Sequence, residues 1–162
     1  MKVGFQKMIH TSGSASIVLI RMMVGLVFLS EGIQKFLFPA MRGPGRFEKM
    51  GFPNPEFWAS FVGFFEIFCG ILILVGFLTR LAAIAMLINM TVALVITKIP
   101  IAFGESFGPF VLRELKSYGF WSMAHEMRTD FAMWIGSLFL LIRGGGLWSI
   151  DKRFLVDETK TH

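Results

Sequence analysis

Four apolar runs, roughly 17–38, 57–77, 81–103 and 131–150, use up over half of this 162-residue chain. One soluble domain of that length buries a respectable core, but it has no interior large enough for four such runs. Each is long enough, at 1.5 Å per helical residue, to approach the ~30 Å thickness of bilayer hydrocarbon. The composition agrees, with 54% hydrophobic and 17% charged residues against about 45–50% and about 25% in soluble domains. Lipid cannot hydrogen-bond free backbone groups, so helices satisfy them internally. A β-barrel needs period-two alternation, and none is visible. The expectation is an all-α membrane protein. It is a four-transmembrane-helix bundle, one membrane domain over residues 1–162, with helices at about 14–38, 57–77, 81–103 and 129–150. A soluble enzyme and a disordered linker are excluded.

The connections are unequal. Gly76-Phe77-Leu78-Thr79-Arg80 is a tight turn that makes a hairpin of runs two and three. Residues 39–56, with Pro39, Pro44, Pro53 and Pro55, and residues 99–128, with Pro100 and Pro109, form two long loops on one side of the bundle. Lys98 and Pro100 disturb the end of run three, after about Ile96. Phe110 to Lys116 reads either as an interfacial amphipathic helix or as an ordinary surface loop. Lys2, Lys7 and the small residues near Thr11 resemble a signal-peptide n-region, but no small-x-small site follows Leu29, so the first helix is read as retained.

The net charge of +5 does not point to nucleic acid, because the basic residues flank apolar spans, where lipid headgroups lie, and no basic patch is interleaved with aromatics. The terminal side carries Lys2, Lys7, Arg80, Arg143, Lys152, Arg153 and Lys160. The loop side carries Lys35, Arg42, Arg46, Lys49, Lys98, Arg113, Lys116 and Arg128. Weighting the charges nearest the span ends favours cytoplasmic termini in a bacterial inner membrane. The single cysteine, Cys69, excludes an internal disulfide, a CxxC pair and a thiolate metal site. No metal is expected: His125 and Glu126 lack an HxxxH or HExxH partner, and of the 11 methionines Met22, Met23, Met86, Met90 and Met133 lie in apolar runs, where core packing is favoured over copper transport. Trp58 and Trp148 suit interfacial belts.

The informative residues are polar ones at membrane depth, each costing about 2.5–3.5 kcal/mol to insert. Glu66 sits near the middle of run two among Phe64, Phe65, Ile67 and Phe68. A carboxyl there is protonated or paired, and it serves either as a proton-relay or ligand-anchoring acid or as half of a structural pair. Arg21, Gly25, Phe28, Gly32 and Lys35 share one stripe of about 80° on the first helix. Small residues there permit close approach, and a cation lies toward each end. Arg21 and Lys35, the cations toward the two ends of that stripe, are candidate partners for Glu66, and Arg21 is otherwise a snorkelling headgroup contact. Glu31 and Lys35 suit an i,i+4 pair. On the second helix Gly63, Glu66, Gly70, Ile73 and Phe77 share a face. Asn89 on the third offers an amide that bridges Glu66 to another helix. Asp130, at the opening of the fourth, has Lys35 or Arg128 as candidate partners.

Together, Arg21-x3-Gly25, Glu31-Gly32-x2-Lys35, Glu66-x3-Gly70, Leu74-x-Gly76-Phe77-x-Thr79-Arg80 and Gly144-x-Gly146-x2-Ser149-Ile150-Asp151 resemble the DoxX family of small four-helix membrane proteins over roughly residues 17–152. On that resemblance, Gly25, Gly32, Gly70, Arg80, Gly144, Gly146, Ser149 and Asp151 are structural family positions. It implies either a redox-associated membrane subunit that binds a quinone or other lipophilic ligand, with electrons from a partner, or a scaffold or maturation factor that docks a client protein. Glycine-lined faces in small bundles also make a homo-oligomer an expectation.

Overall fold

The computed structural model describes Thr11 and residues 13–154. Lys2, Lys7, Lys160 and most of the signal-like segment lie outside the described residues. The described residues form, in order, α1 Ile17–Leu37, α2 Pro44–Lys49, α3 Pro55–Val75, α4 Thr79–Ala93, α5 Ile99–Phe103 and α6 Phe120–Arg143, and residues 150–154 are helical as well. A π-helical stretch, Leu94–Lys98, joins α4 to α5. Among the described residues there is no β-strand, only an isolated bridge between Phe107 and Phe110.

Among the described residues three helical segments, Ile17–Leu37, Pro55–Val75 and Thr79–Phe103, are long and apolar enough to cross a membrane. Twenty-one residues give about 31 Å of helix. The α6 helix is as long, but its first half carries His125, Glu126, Arg128 and Asp130. It begins nine residues before the expected 129–150 boundary. Ser122 to Arg128 is polar but made largely of good helix formers, so the helix winds on beyond its apolar part. It also stops earlier, at Arg143, where Gly144 turns the chain at φ +75°.

Run three behaves differently from a simple break at Pro100. Proline has no N–H and its ring collides with the carbonyl four residues back. The helix widens just before it: the Ile99 N–H reaches the Leu94 carbonyl, five residues away. The α-helix then resumes through Phe103. The turn between α3 and α4 is a Schellman motif, as its glycine predicts. Gly76 N–H bonds Ile73 O at 3.2 Å and Phe77 N–H bonds Leu72 O at 3.0 Å, with Gly76 at φ +71°, a conformation closed to most residues.

Helices α1 and α3 lie antiparallel in closest contact, and α4 packs on α6; the two pairs meet less extensively through α3–α4 and α1–α6. Close approach of α1 to α3 depends on glycine. A Cβ on Gly32 would fall 2.7 Å from Gly63 O and 2.9 Å from Ile67 N, both backbone atoms of α3. Val24, Phe28, Ile73, Ala83, Met86, Met133 and Leu140 form the apolar centre.

The two long connections meet at one end of the bundle. Val111 N–H bonds Met50 O at 3.1 Å, and the Phe52 ring lies 4.8 Å from that of Phe110. Phe110 to Lys116 is therefore not a helix. Its donors are taken elsewhere, with Leu112 N–H on Ser106 Oγ at 3.2 Å and Leu115 N–H on Tyr118 Oη at 3.3 Å. At the opposite end residues 144–149 fold back over the α3–α4 turn.

Candidate functional site

The buried faces follow the sequence periodicity. On α1 the buried residues are Ile17, Arg21, Val24, Gly25, Phe28, Gly32 and Lys35; on α3 they are Ala59, Gly63, Glu66, Cys69, Gly70 and Ile73. These two stripes bring a polar cluster together from three helices. Lys35 Nζ (α1) donates to Glu66 Oε2 (α3) at 2.5 Å, and Asn89 Nδ2 (α4) donates to Glu66 Oε1 at 3.1 Å. Glu66 is only 3% exposed and Lys35 9%; Asn89 is half-buried.

Depth matters as much as contact. Glu66 precedes the end of α3 at Val75 by nine residues, and Asn89 follows the start of α4 at Thr79 by ten. At 1.5 Å per residue both lie about 14–15 Å from the turn that joins these helices, half-way through ~30 Å of hydrocarbon. Water is remote there, so the ammonium and the amide stand in for it around the carboxylate. The cluster therefore holds a carboxyl group at mid-membrane with both oxygens engaged. Lys35 also reaches the Glu31 backbone oxygen at 3.5 Å. The expected Glu31–Lys35 pair does not form, because the ammonium turns to Glu66 instead.

Arg21 is elsewhere. It neither meets Glu66 nor snorkels to the headgroups: at 2% exposure it is buried at the opposite end of the same stripe. Its Nε donates to Ile73 O at 2.8 Å, and Nη1 donates to Gly145 O at 3.1 Å and Trp148 O at 2.5 Å. Nη2 donates to Leu74 O. The guanidinium thus satisfies the last carbonyls of α3, the negative end of that helix, and pins the 144–149 loop to them.

Asp151 completes this clasp. Its carboxylate accepts from Leu78 N–H at 2.8 Å, Thr79 N–H at 3.0 Å and Thr79 Oγ1 at 2.8 Å, capping the start of α4 from a distant part of the chain. Ser149 Oγ donates to Gly146 O at 2.6 Å, and Arg80 Nη2 donates to Ile142 O at 2.9 Å. Gly146 N–H in turn donates to Thr11 Oγ1. Arg80, Gly144, Gly146, Ser149 and Asp151 are gathered here, whereas Gly25, Gly32 and Gly70 line the α1–α3 contact.

Asp130 meets neither Lys35 nor Arg128. Its partner is Lys98, at 3.1 Å, and Lys98 is itself buried. Sequence reasoning placed Lys98 among the loop-side headgroup charges. The available signal was its position beside Pro100: the widened turn at Leu94–Lys98 carries Lys98, and that turn packs on α6.

Comparison with known proteins follows from this geometry. A family model described as DoxX matches residues 16–99, which include Lys35, Glu66 and Asn89. An uncharacterized membrane protein of Mycobacterium tuberculosis is 48% identical over 147 residues, covering 91% of this chain and 86% of that relative. No solved structure gives a significant match.

Proposed function

This chain belongs to the DoxX family of membrane proteins, and we propose that it is an integral membrane subunit of a redox-associated system whose Lys35–Glu66–Asn89 cluster anchors the polar head of a lipophilic ligand, a quinone by class. The observation that carries this reading is a buried carboxylate half-way through the membrane, held by donors from two other helices. The donor set fits such a head group. An ammonium has three N–H donors and a side-chain amide two. Glu66 takes one from each, and Glu31 O takes a second from Lys35. One donor on Lys35 and one on half-buried Asn89 remain for a carbonyl oxygen.

A quinone, when bound, supplies reversible electron and proton uptake. This chain's residues supply position and proton handling: Asn89 and Lys35 orient the ring oxygen, and Glu66 holds or gives up a proton. With one cysteine in the sequence there is no internal dithiol, so a partner redox protein supplies the electrons. The purified protein, titrated with a short-chain quinone and followed by tryptophan quenching, is expected to bind saturably. Asn89→Leu is expected to weaken that binding at least tenfold, and equal affinity in the variant would remove Asn89 from the site.

The same proposal includes four crossings in one membrane domain, with the termini on the cytoplasmic side of a bacterial inner membrane. The Lys98–Asp130 pair supports the fourth crossing, because it neutralises the acid that interrupts α6. A reporter fused within 104–119 should then read as periplasmic, and a cytoplasmic signal would reverse the orientation. One observation favours the alternative reading, a scaffold or maturation factor. The loop end presents Phe103, Trp121 and Met41, each at least 74% exposed, and these offer a client an apolar face.

A further inference from the structure

We propose that the connection between α1 and α3 is a binding site for anionic phospholipid headgroups. Residues 38–54 join the ends of two helices long and apolar enough to cross the bilayer, so they lie at the membrane boundary. Their body is fixed: Phe47 is buried, its ring 5.1 Å from that of Phe52, and α2 packs on α3. On the outside, Phe38 and Met41 are 51% and 74% exposed. These apolar side chains sit at the depth where acyl chains meet headgroups.

Beside them stand three cations, Arg42, Arg46 and Lys49, spaced by four and then three residues. Arg46 and Lys49, three residues apart, share one face of α2 with Phe47 on the inward side, and Arg42 lies in the turn just before that helix. None of the three forms an ion pair among the described residues, whereas Lys35, Lys98 and Arg113 each hold a carboxylate. Glu48 is the one acid between residues 39 and 55, and it follows Arg46 by two positions, so it does not share the cationic face. Guanidinium groups bind phosphate oxygens through paired N–H donors. A row of unpaired cations next to exposed apolar side chains therefore fits a phosphate that carries acyl chains better than a free anion.

The test uses the full chain in mild detergent and native mass spectrometry. The probes are phosphatidylglycerol, phosphatidylcholine and inorganic phosphate. The wild type is expected to bind phosphatidylglycerol at least tenfold more tightly than phosphatidylcholine. The triple variant Arg42→Gln/Arg46→Gln/Lys49→Gln is expected to lose that preference with an unchanged melting temperature, since it alters surface side chains. Single Arg42→Gln should give a partial loss, and Arg42→Lys/Arg46→Lys should lose less than the triple variant, because the charge is retained while the paired N–H donors are not. Millimolar phosphate should not displace the lipid. Equal affinity of the wild type for both lipids, full preference in the triple variant, or displacement by inorganic phosphate would each overturn the proposal.

Discussion

Lys35→Met is expected to destabilise the protein by about 3–5 kcal/mol, the usual penalty for stranding one member of a buried ion pair. Methionine fills most of the volume that lysine leaves, so the loss reports charge more than packing. Glu66 would then keep only the Asn89 amide, 3.1 Å from Oε1, at mid-membrane. The double variant Lys35→Met/Glu66→Leu is expected to recover most of that loss, because an apolar pair needs no compensation in lipid. Reversible unfolding in mixed micelles gives all three stabilities, and the double-mutant cycle isolates the coupling. Additive losses would mean that the 2.5 Å contact between Lys35 and Glu66 contributes no coupling.

Arg21→Met should be at least as severe, with a loss above about 4 kcal/mol. Charge-assisted hydrogen bonds are worth about 1.5–3 kcal/mol each, and this side chain makes four. Ile73 and Leu74 would be left with exposed helix-end carbonyls, and Gly145 and Trp148 would lose the group that holds their loop down. Gly76 shows how tightly the guanidinium is packed: a Cβ there would sit 2.6 Å from Arg21 Cζ. Arg21→Lys is expected to fall between, since one ammonium cannot reproduce the planar fork. Folded yield and unfolding in the same micelles check the series. A change below about 1 kcal/mol in Arg21→Met would refute the clasp.

Helix rotation was legible in the sequence, and helix register was not. The periodicity that placed Arg21, Gly25, Phe28, Gly32 and Lys35 on one stripe describes angles about an axis, and those five residues are all buried. It does not say which level of the next helix each residue meets. The stripe offers both Arg21 and Lys35 to Glu66, and Lys35 is the one that reaches it, while Asp130 reaches Lys98 rather than Lys35, because vertical offset between helices decides both. Arg21 defeated local reasoning for a related reason. Two of its acceptors, Gly145 and Trp148, lie more than 120 positions away in a loop that no pattern assigns to it. The start of α6 is not marked by the pattern, because an apolar run marks the lipid-facing part of a helix, and this helix begins eleven residues before that run.

The central claim is that Glu66, with Lys35 and Asn89, holds a ligand as well as three helices. The direct measurement is lipid extraction and mass spectrometry of the protein purified from its native membranes in mild detergent, wild type against Glu66→Gln. A stoichiometric quinone is expected in the wild type and is expected to be lost from a folded Glu66→Gln variant. Bulk lipid alone in the wild type, with a companion protein co-purifying, would contradict it and shift the reading to a scaffold.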